Sequence, residues 1–74
     1  MKRISLNLDI DTEADAAYIE LARPVNRADR PAQIVVEDPR LNGMVVLDVN
    51  SAGHIVGLEF IGVRSMLPRL PHAR

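Results

Sequence analysis

The feature of this sequence that could most directly do chemistry is a run of carboxylates near its start. Acidic side chains stand at positions 1, 3, 5, 7 and 12 of a twelve-residue window: Asp9, Asp11, Glu13, Asp15 and Glu20. This is the spacing of the ligands in an EF-hand calcium loop. The sixth position holds Ala14, however, where that loop requires glycine, and the preceding residues predict a strand rather than an entering helix. The sequence therefore argues against an EF-hand.

A looser divalent-cation site at the same turn is the alternative interpretation of these carboxylates. Its candidate metal ligands are Asp11, Glu13 and Asp15, because hard cations prefer several carboxylate oxygens close together. The simpler interpretation, which we favour, is that Asp11 and Asp15 accept hydrogen bonds from turn amides while Glu13 is solvated.

No other residues form a pattern that predicts catalysis or cofactor binding. Asp48 and Glu59 could perform acid–base work as a carboxylate pair, but we favour an exposed sheet face, or a subunit contact bridged to arginine, as their explanation. His54 and His72 are the only histidines, and no spacing brings partner residues to them. The sequence also lacks a glycine-rich phosphate loop and zinc-ligand spacing. We therefore assign no catalytic residue and no cofactor, and we favour a protein without enzymatic activity while keeping a small enzyme as an alternative.

The composition indicates one small globular domain. The chain has 74 residues, 47% of them hydrophobic, 26% charged and only 3% aromatic, so the core must be aliphatic. It contains 0 cysteines, which excludes disulfides and thiolate metal sites. A domain this small buries a limited core, and self-association is one way to stabilise it. The sequence therefore predicts a homo-oligomer, with a dimer favoured.

The charge balance argues against two classes of partner. The formal net charge is −1, which gives no electrostatic attraction to nucleic acid or to a membrane surface. No run approaches the ~18 apolar residues of a membrane span, and the acidic residues Asp9 and Asp11 interrupt any secretory signal. With no cysteine, the sequence is typical of a reducing compartment, and we expect a cytoplasmic location.

The elements that would position these residues are mainly strands. Residues 3–10 alternate strictly between apolar and polar, which predicts a strand with one buried face. Residues 11–22 are ambiguous. Ala14, Ala17, Tyr18 and Leu21 fall on one helical face, and the local propensity favours this helix. The alternative is a turn at 11–15 followed by a strand at 16–22.

The second half of the chain predicts two more hairpin-forming segments. A loop at 23–32 precedes a β-branched strand at 33–37, and the Asn42-Gly43 pair indicates a turn. Strands at 44–49 and 54–61 then flank the turn at 50–53.

The register of that last hairpin can be predicted from its turn. If the turn is symmetric about Ser51 and Ala52, Leu47 pairs with Val56 and Val45 with Leu58. The second face then places Asp48 opposite Ile55, Val46 opposite Gly57 and Met44 opposite Glu59. That face mixes apolar and polar residues, so Val46, Ile55 and Met44 on it could seed a subunit contact. Beyond Gly62, Ser65 could cap one helical turn before a proline-containing tail at 68–74.

Two motifs resemble a known family. The first is Asp-Thr-Glu-Ala-Asp-Ala-Ala-Tyr-Ile at 11–19, and the second is Val-Leu-Asp at 46–48, a glycine-containing turn and Ile-Val-Gly-Leu-Glu-Phe-Ile at 55–61. Over residues 3–67 the chain resembles the small uncharacterised bacterial proteins grouped as domain of unknown function 2283. It departs from them at Thr12, where proline is common, and in the longer arginine-rich loop at 23–32.

The resemblance implies a strand rather than a helix at 16–22. It implies no established activity, although relatives beside small toxin-like genes would suggest an antitoxin-like partner role. We thus expect a mainly β fold of about five short antiparallel strands with a short C-terminal helical turn, forming one domain at 1–67. The leading functional hypothesis is a non-enzymatic protein-interaction module. A metal-binding protein or small enzyme using the turn at 11–15 comes second, and a nucleic-acid binder third.

Overall fold

A computed structural model describes residues 1–22 and 31–69 of the chain. The described chain forms five strands and one helical turn: β1 (Leu8–Asp11), β2 (Ala16–Glu20), β3 (Ala32–Val36), β4 (Met44–Val49), β5 (Ile55–Ile61) and α1 (Val63–Met66). The strands make a single antiparallel sheet in the order β1-β2-β5-β4-β3. The predicted mainly β fold, with five antiparallel strands and a C-terminal helical turn, is confirmed.

The ambiguous segment after the acidic turn is the strand β2. It pairs with β1 on one side and with β5 on the other, so both rows of its backbone groups have partners. Its Ala17 is 2% exposed. The alanines at 14, 16 and 17 give this segment a local preference for helix, but pairing on both edges outweighs that preference, as tertiary context commonly does.

The β4–β5 hairpin keeps the predicted faces except at Ile55, but it does not have the predicted register. Leu47 pairs with Leu58 rather than Val56, and Val45 pairs with Phe60 rather than Leu58. The shift of two residues preserves which side chains share a face, because side chains alternate with a period of two.

The pairs predicted for the second face of this hairpin are also wrong. Asp48 lies opposite Gly57 rather than Ile55, Val46 lies opposite Glu59, and Met44 lies opposite Ile61. Ile55 pairs instead with Val49, across a bulge between Asp48 and Val49. A bulge places an extra residue on one strand, which offsets every pair beyond it.

The turn explains the shift. Asn50 accepts hydrogen bonds through Oδ1 from the backbone N–H groups of Ala52 and His54, at 3.0 and 2.9 Å. The N–H of Gly53 donates to the carbonyl of Asn50, and Gly53 has φ 82°, a conformation that favours glycine. The turn is therefore longer than the symmetric four-residue turn expected from the sequence, and the bulge beyond it adds the second residue of offset.

Several element boundaries also differ from the expectation: β2 ends at Glu20 rather than at residue 22, β3 is shifted by one residue, and β5 begins at Ile55 rather than at residue 54. β1 begins at Leu8 rather than at residue 3, and residues 1–7 are exposed and outside any strand. α1 begins at Val63, after Gly62 with φ 89°, and has no side-chain cap at its N-terminus. Ser65 lies inside this turn, so its predicted capping role is wrong.

The sheet buries little of the described chain. The buried hydrophobic residues are Ala17, Val46 and Val63, at 2, 6 and 9% exposure. The described part of the chain has no helix with the length and apolar character needed to cross a membrane. Most of the predicted loop at 23–32 and of the tail at 68–74 lies outside the described residues, and Pro68 and Arg69 are exposed.

Candidate functional site

The acidic turn between β1 and β2 uses its carboxylates as hydrogen-bond acceptors for backbone amides. Asp11 Oδ1 accepts from the N–H groups of Glu13 and Ala14, both at 3.1 Å. This closes the turn in the way that aspartate side chains commonly do. Glu13 itself is exposed.

Asp15 joins the same turn to α1. It has φ 53°, a left-handed conformation that aspartate tolerates better than most residues. Its carbonyl accepts from the N–H groups of Gly62 and Val63, and its Oδ1 accepts from the N–H of Arg64 at 3.0 Å. Arg64 Nη2 also donates to the carbonyl of Thr12 at 2.9 Å. The turn is therefore tied to the start of α1 by four hydrogen bonds.

These contacts describe where the candidate metal ligands lie. Asp11 and Asp15 accept hydrogen bonds from backbone N–H groups through their carboxylate oxygens. Glu13 takes part in these bonds only through its backbone N–H. Within residues 1–22 and 31–69, His, Asp and Glu side chains form no group of three or more that could hold a metal ion. A loose cation site at Asp11, Glu13 and Asp15 stays a prediction.

One face of the sheet, the polar face, carries the carboxylates of the strands. It includes three rows of paired residues: Asp9, Tyr18, Glu59, Val46 and Val35 across all five strands; Glu20, Gly57, Asp48 and Gln33 across four; and Asp11, Ala16, Ile61 and Met44 across four. Its centre is a hydrogen-bonded group. Tyr18 Oη donates to Asp48 Oδ2 at 3.0 Å, and Gln33 Nε2 donates to Asp48 Oδ1 at 3.3 Å.

Gly57 makes room for this group. A Cβ built on Gly57 would overlap the Tyr18 hydroxyl and lie 2.6 Å from Tyr18 Cζ. The phenol ring therefore crosses β5 at Gly57 on its way from β2 to Asp48 on β4. Glycine inside a strand commonly marks such a close approach.

The surroundings of Tyr18 raise the pKa of its phenol above the ordinary value of 10.0. Partial burial is the largest cause, followed by the hydrogen bond to Asp48 and the negative charges of Asp48, Glu20 and Glu59. The phenol is thus held in its protonated, donating form. Asp48 and Glu59 are diagonal neighbours across β4 and β5, and Asp48 accepts hydrogen bonds from Tyr18 and Gln33.

Tyr18 and Gln33 were not among the site residues predicted from the sequence. Their contact with Asp48 joins β2, β4 and β3, which local patterns cannot bring together. The available signal was Gly57, since a glycine in the middle of a strand indicates that a side chain from a neighbouring strand lies over it. His54 is exposed beside the turn, and His72 lies outside the described residues.

The other side of the sheet, the apolar face, carries no charge. Two rows of paired residues cross all five strands: Leu8, Ile19, Leu58, Leu47 and Ile34, and then Ile10, Ala17, Phe60, Val45 and Val36. All ten are hydrophobic. At the two edges Ile10, Ile34 and Val36 are 43, 51 and 38% exposed. In the described part of the chain the extensive contacts between elements are those between neighbouring strands, so no second layer covers this face.

Within residues 1–22 and 31–69, one five-stranded sheet with a hydrogen-bonded polar face and a continuous apolar face defines a small antiparallel β protein. A family model described as "Protein of unknown function (DUF2283)" matches residues 7–64 of the 74. The chain belongs to this family. Neither the curated proteins nor the solved structures contain a match to it.

Proposed function

We propose that this chain is a non-enzymatic protein-interaction domain and that its apolar face is the surface that binds protein. The observation that carries this proposal is the continuity of that face: ten hydrophobic side chains cross five strands without a polar interruption. A sheet normally buries one face against another layer of structure. The described chain provides no such layer, so a partner is the element that completes the fold.

The size of the face supports a binding role. Five strands at about 4.8 Å spacing span about 24 Å, and strands of this length extend about 17–20 Å. The flat footprint is therefore roughly 400–480 Å². Apolar patches beyond a few hundred Å² on a soluble protein usually mark interaction sites.

The engagement of the carboxylates supports a binding role over an enzymatic one. Acid–base or metal chemistry requires carboxylate oxygens that can face a substrate or a cation. Asp48 accepts from Tyr18 and Gln33, and Asp11 and Asp15 accept from backbone amides. Each of these three carboxylates has a structural use.

The polar face argues against the nucleic-acid alternative. Its three rows contain five carboxylates, Asp9, Asp11, Glu20, Asp48 and Glu59, and no cationic side chain. Phosphate backbones are bound by Lys and Arg, so this face would repel nucleic acid. A toxin-like protein is one partner that fits the resemblance noted from the sequence, and a cytoplasmic location suits a cysteine-free interaction domain.

A paired substitution tests the proposal. Ile34 and Val35 are neighbours on the edge strand β3, are both 51% exposed, and point to opposite faces. Ile34→Asp places a charge on the apolar face, and Val35→Asp places the same charge on the polar face. In pull-downs from native cells followed by mass spectrometry, Ile34→Asp is expected to lose the proteins retained by the wild type and by Val35→Asp. Equal retention by both variants would overturn the proposal.

A further inference from the structure

We propose that the occupant of the apolar face is a second copy of this chain, packed sheet against sheet to give a two-layer antiparallel sandwich. This inference rests on the proposed function, because it names the partner of the same face. Packed sheets lie about 10 Å apart and align within about 30°. The two rows of hydrophobic side chains on each copy would then form the core between the layers.

The thin core of the single chain is the first argument for a second copy. Of the described residues, the hydrophobic ones that are buried are Ala17, Val46 and Val63, and no large side chain is fully buried. Domains of this size depend on staples or oligomerisation for stability, and the sequence has no cysteine to supply a disulfide. A chain that is stable only when bound must meet its partner wherever it is synthesised. A second copy of the same chain is always present there.

The exposure of the apolar face is the second argument. At its two edges Ile10, Ile34 and Val36 are 43, 51 and 38% exposed. Packing the same face of two copies together would remove these apolar side chains from water on both copies at once, which is favourable.

The distribution of charge is the third argument. None of the ten residues of the apolar face is charged, so bringing two copies together there creates no like-charge contact. The carboxylates Asp9, Glu20, Asp48 and Glu59 lie on the polar face. In a sandwich the two acidic faces point outward, separated by both layers. A dimer through the polar face would instead oppose carboxylates, at a cost of several kcal/mol for juxtaposed like charges.

Light scattering and sedimentation equilibrium of the full chain test this inference. The wild type is expected to have twice the 8.2 kDa chain mass. Ile34→Asp is expected to raise the dissociation constant at least about tenfold, because a carboxylate loses water at the interface. Val35→Asp is expected to leave it unchanged. Should Ile34→Asp fail to fold, the wild type still provides a test, since the midpoint of its urea unfolding must rise with protein concentration.

The outcomes separate this inference from the proposed function. One outcome would be a folded wild-type monomer that binds a hydrophobic dye, with binding reduced in Ile34→Asp but not in Val35→Asp. That outcome would overturn the proposed dimer and leave the apolar face as a surface for another protein. A folded monomer with no dye binding, and no difference between the two variants, would overturn both. Equal weakening of a dimer by both variants, or an unfolding midpoint independent of concentration, would overturn the sandwich.

Discussion

Replacing Gly57 by alanine should break the hydrogen-bonded group at the centre of the polar face. The new Cβ would overlap the Tyr18 hydroxyl and approach Tyr18 Cζ to 2.6 Å, so the phenol must swing away and release Asp48. A hydrogen bond to a charged group contributes about 1.5–3 kcal/mol, and the half-buried position of this pair places it in the lower part of that range. Alanine recovers about 0.5–1 kcal/mol because glycine is unfavourable in a strand. The expected net destabilisation is about 1 kcal/mol.

A double-mutant cycle isolates this effect. In a Tyr18→Ala background the phenol is absent, so Gly57→Ala should stabilise the protein by about 0.5–1 kcal/mol instead of destabilising it. The free energy of unfolding can be measured by urea denaturation and far-ultraviolet circular dichroism, at one fixed protein concentration for all four proteins. If Gly57→Ala had the same cost in both backgrounds, the close approach of Tyr18 to Gly57 would not be the cause.

Three further predictions follow from the same contacts. The pKa of Tyr18 is raised by burial and by Asp48. The contribution of the protonated phenol to the free energy of unfolding should therefore be fully present below the ordinary pKa of 10.0, and it should be lost as the pH rises through the higher folded-state pKa. Tyr18 is the only tyrosine and there is no tryptophan, so phenolate absorbance reports this titration directly. An Asp48→Asn variant that titrated like the wild type would show that Asp48 does not raise the pKa of Tyr18. Millimolar calcium, magnesium or manganese should leave the melting temperature unchanged, since the carboxylates of Asp11 and Asp15 already accept backbone hydrogen bonds; an increase that disappeared in Asp11→Asn would instead support the cation site. Asp15→Ala should lower the free energy of unfolding by about 2 kcal/mol, because alanine tolerates the positive φ poorly and cannot accept the hydrogen bond from Arg64. Asp15→Asn, which keeps both features, should lower it less in the same thermal melts. Equal destabilisation by the two variants would show that neither feature matters.

The strands were predictable where local pattern and pairing agree. The segments at 44–49 and 54–61 are rich in apolar residues and lie on either side of an Asn- and Gly-containing turn, so both strands were predicted, the second beginning one residue later at Ile55. The register was not, because the extra hydrogen bonds of Asn50 and the bulge after Asp48 lengthen the connection. Turn chemistry of this kind shifts pairing without leaving a trace in the hydrophobic pattern.

The segment after the acidic turn shows the limit of local reasoning. Its alanines fit a helix as well as a strand, and only pairing with β5, distant in sequence, makes it a strand. The contact between Tyr18 and Asp48 could not be predicted for the same reason, since it requires β2, β5 and β4 to be neighbours. The structural role of Asp11 and Asp15, by contrast, followed from the known behaviour of aspartate in turns.

The central position of β5 in the sheet determines the order in which the chain can fold. Its pairing with β4 closes a short turn, as between Val49 and Ile55, whereas its pairing with β2 joins Ala16 to Ile61 across most of the chain. Loop closure costs more entropy as the loop grows. We therefore expect the β3–β4–β5 meander to form in the transition state and the β1–β2 hairpin to dock afterwards. Substitutions in the meander should slow folding, and those in the β1–β2 hairpin should mainly accelerate unfolding.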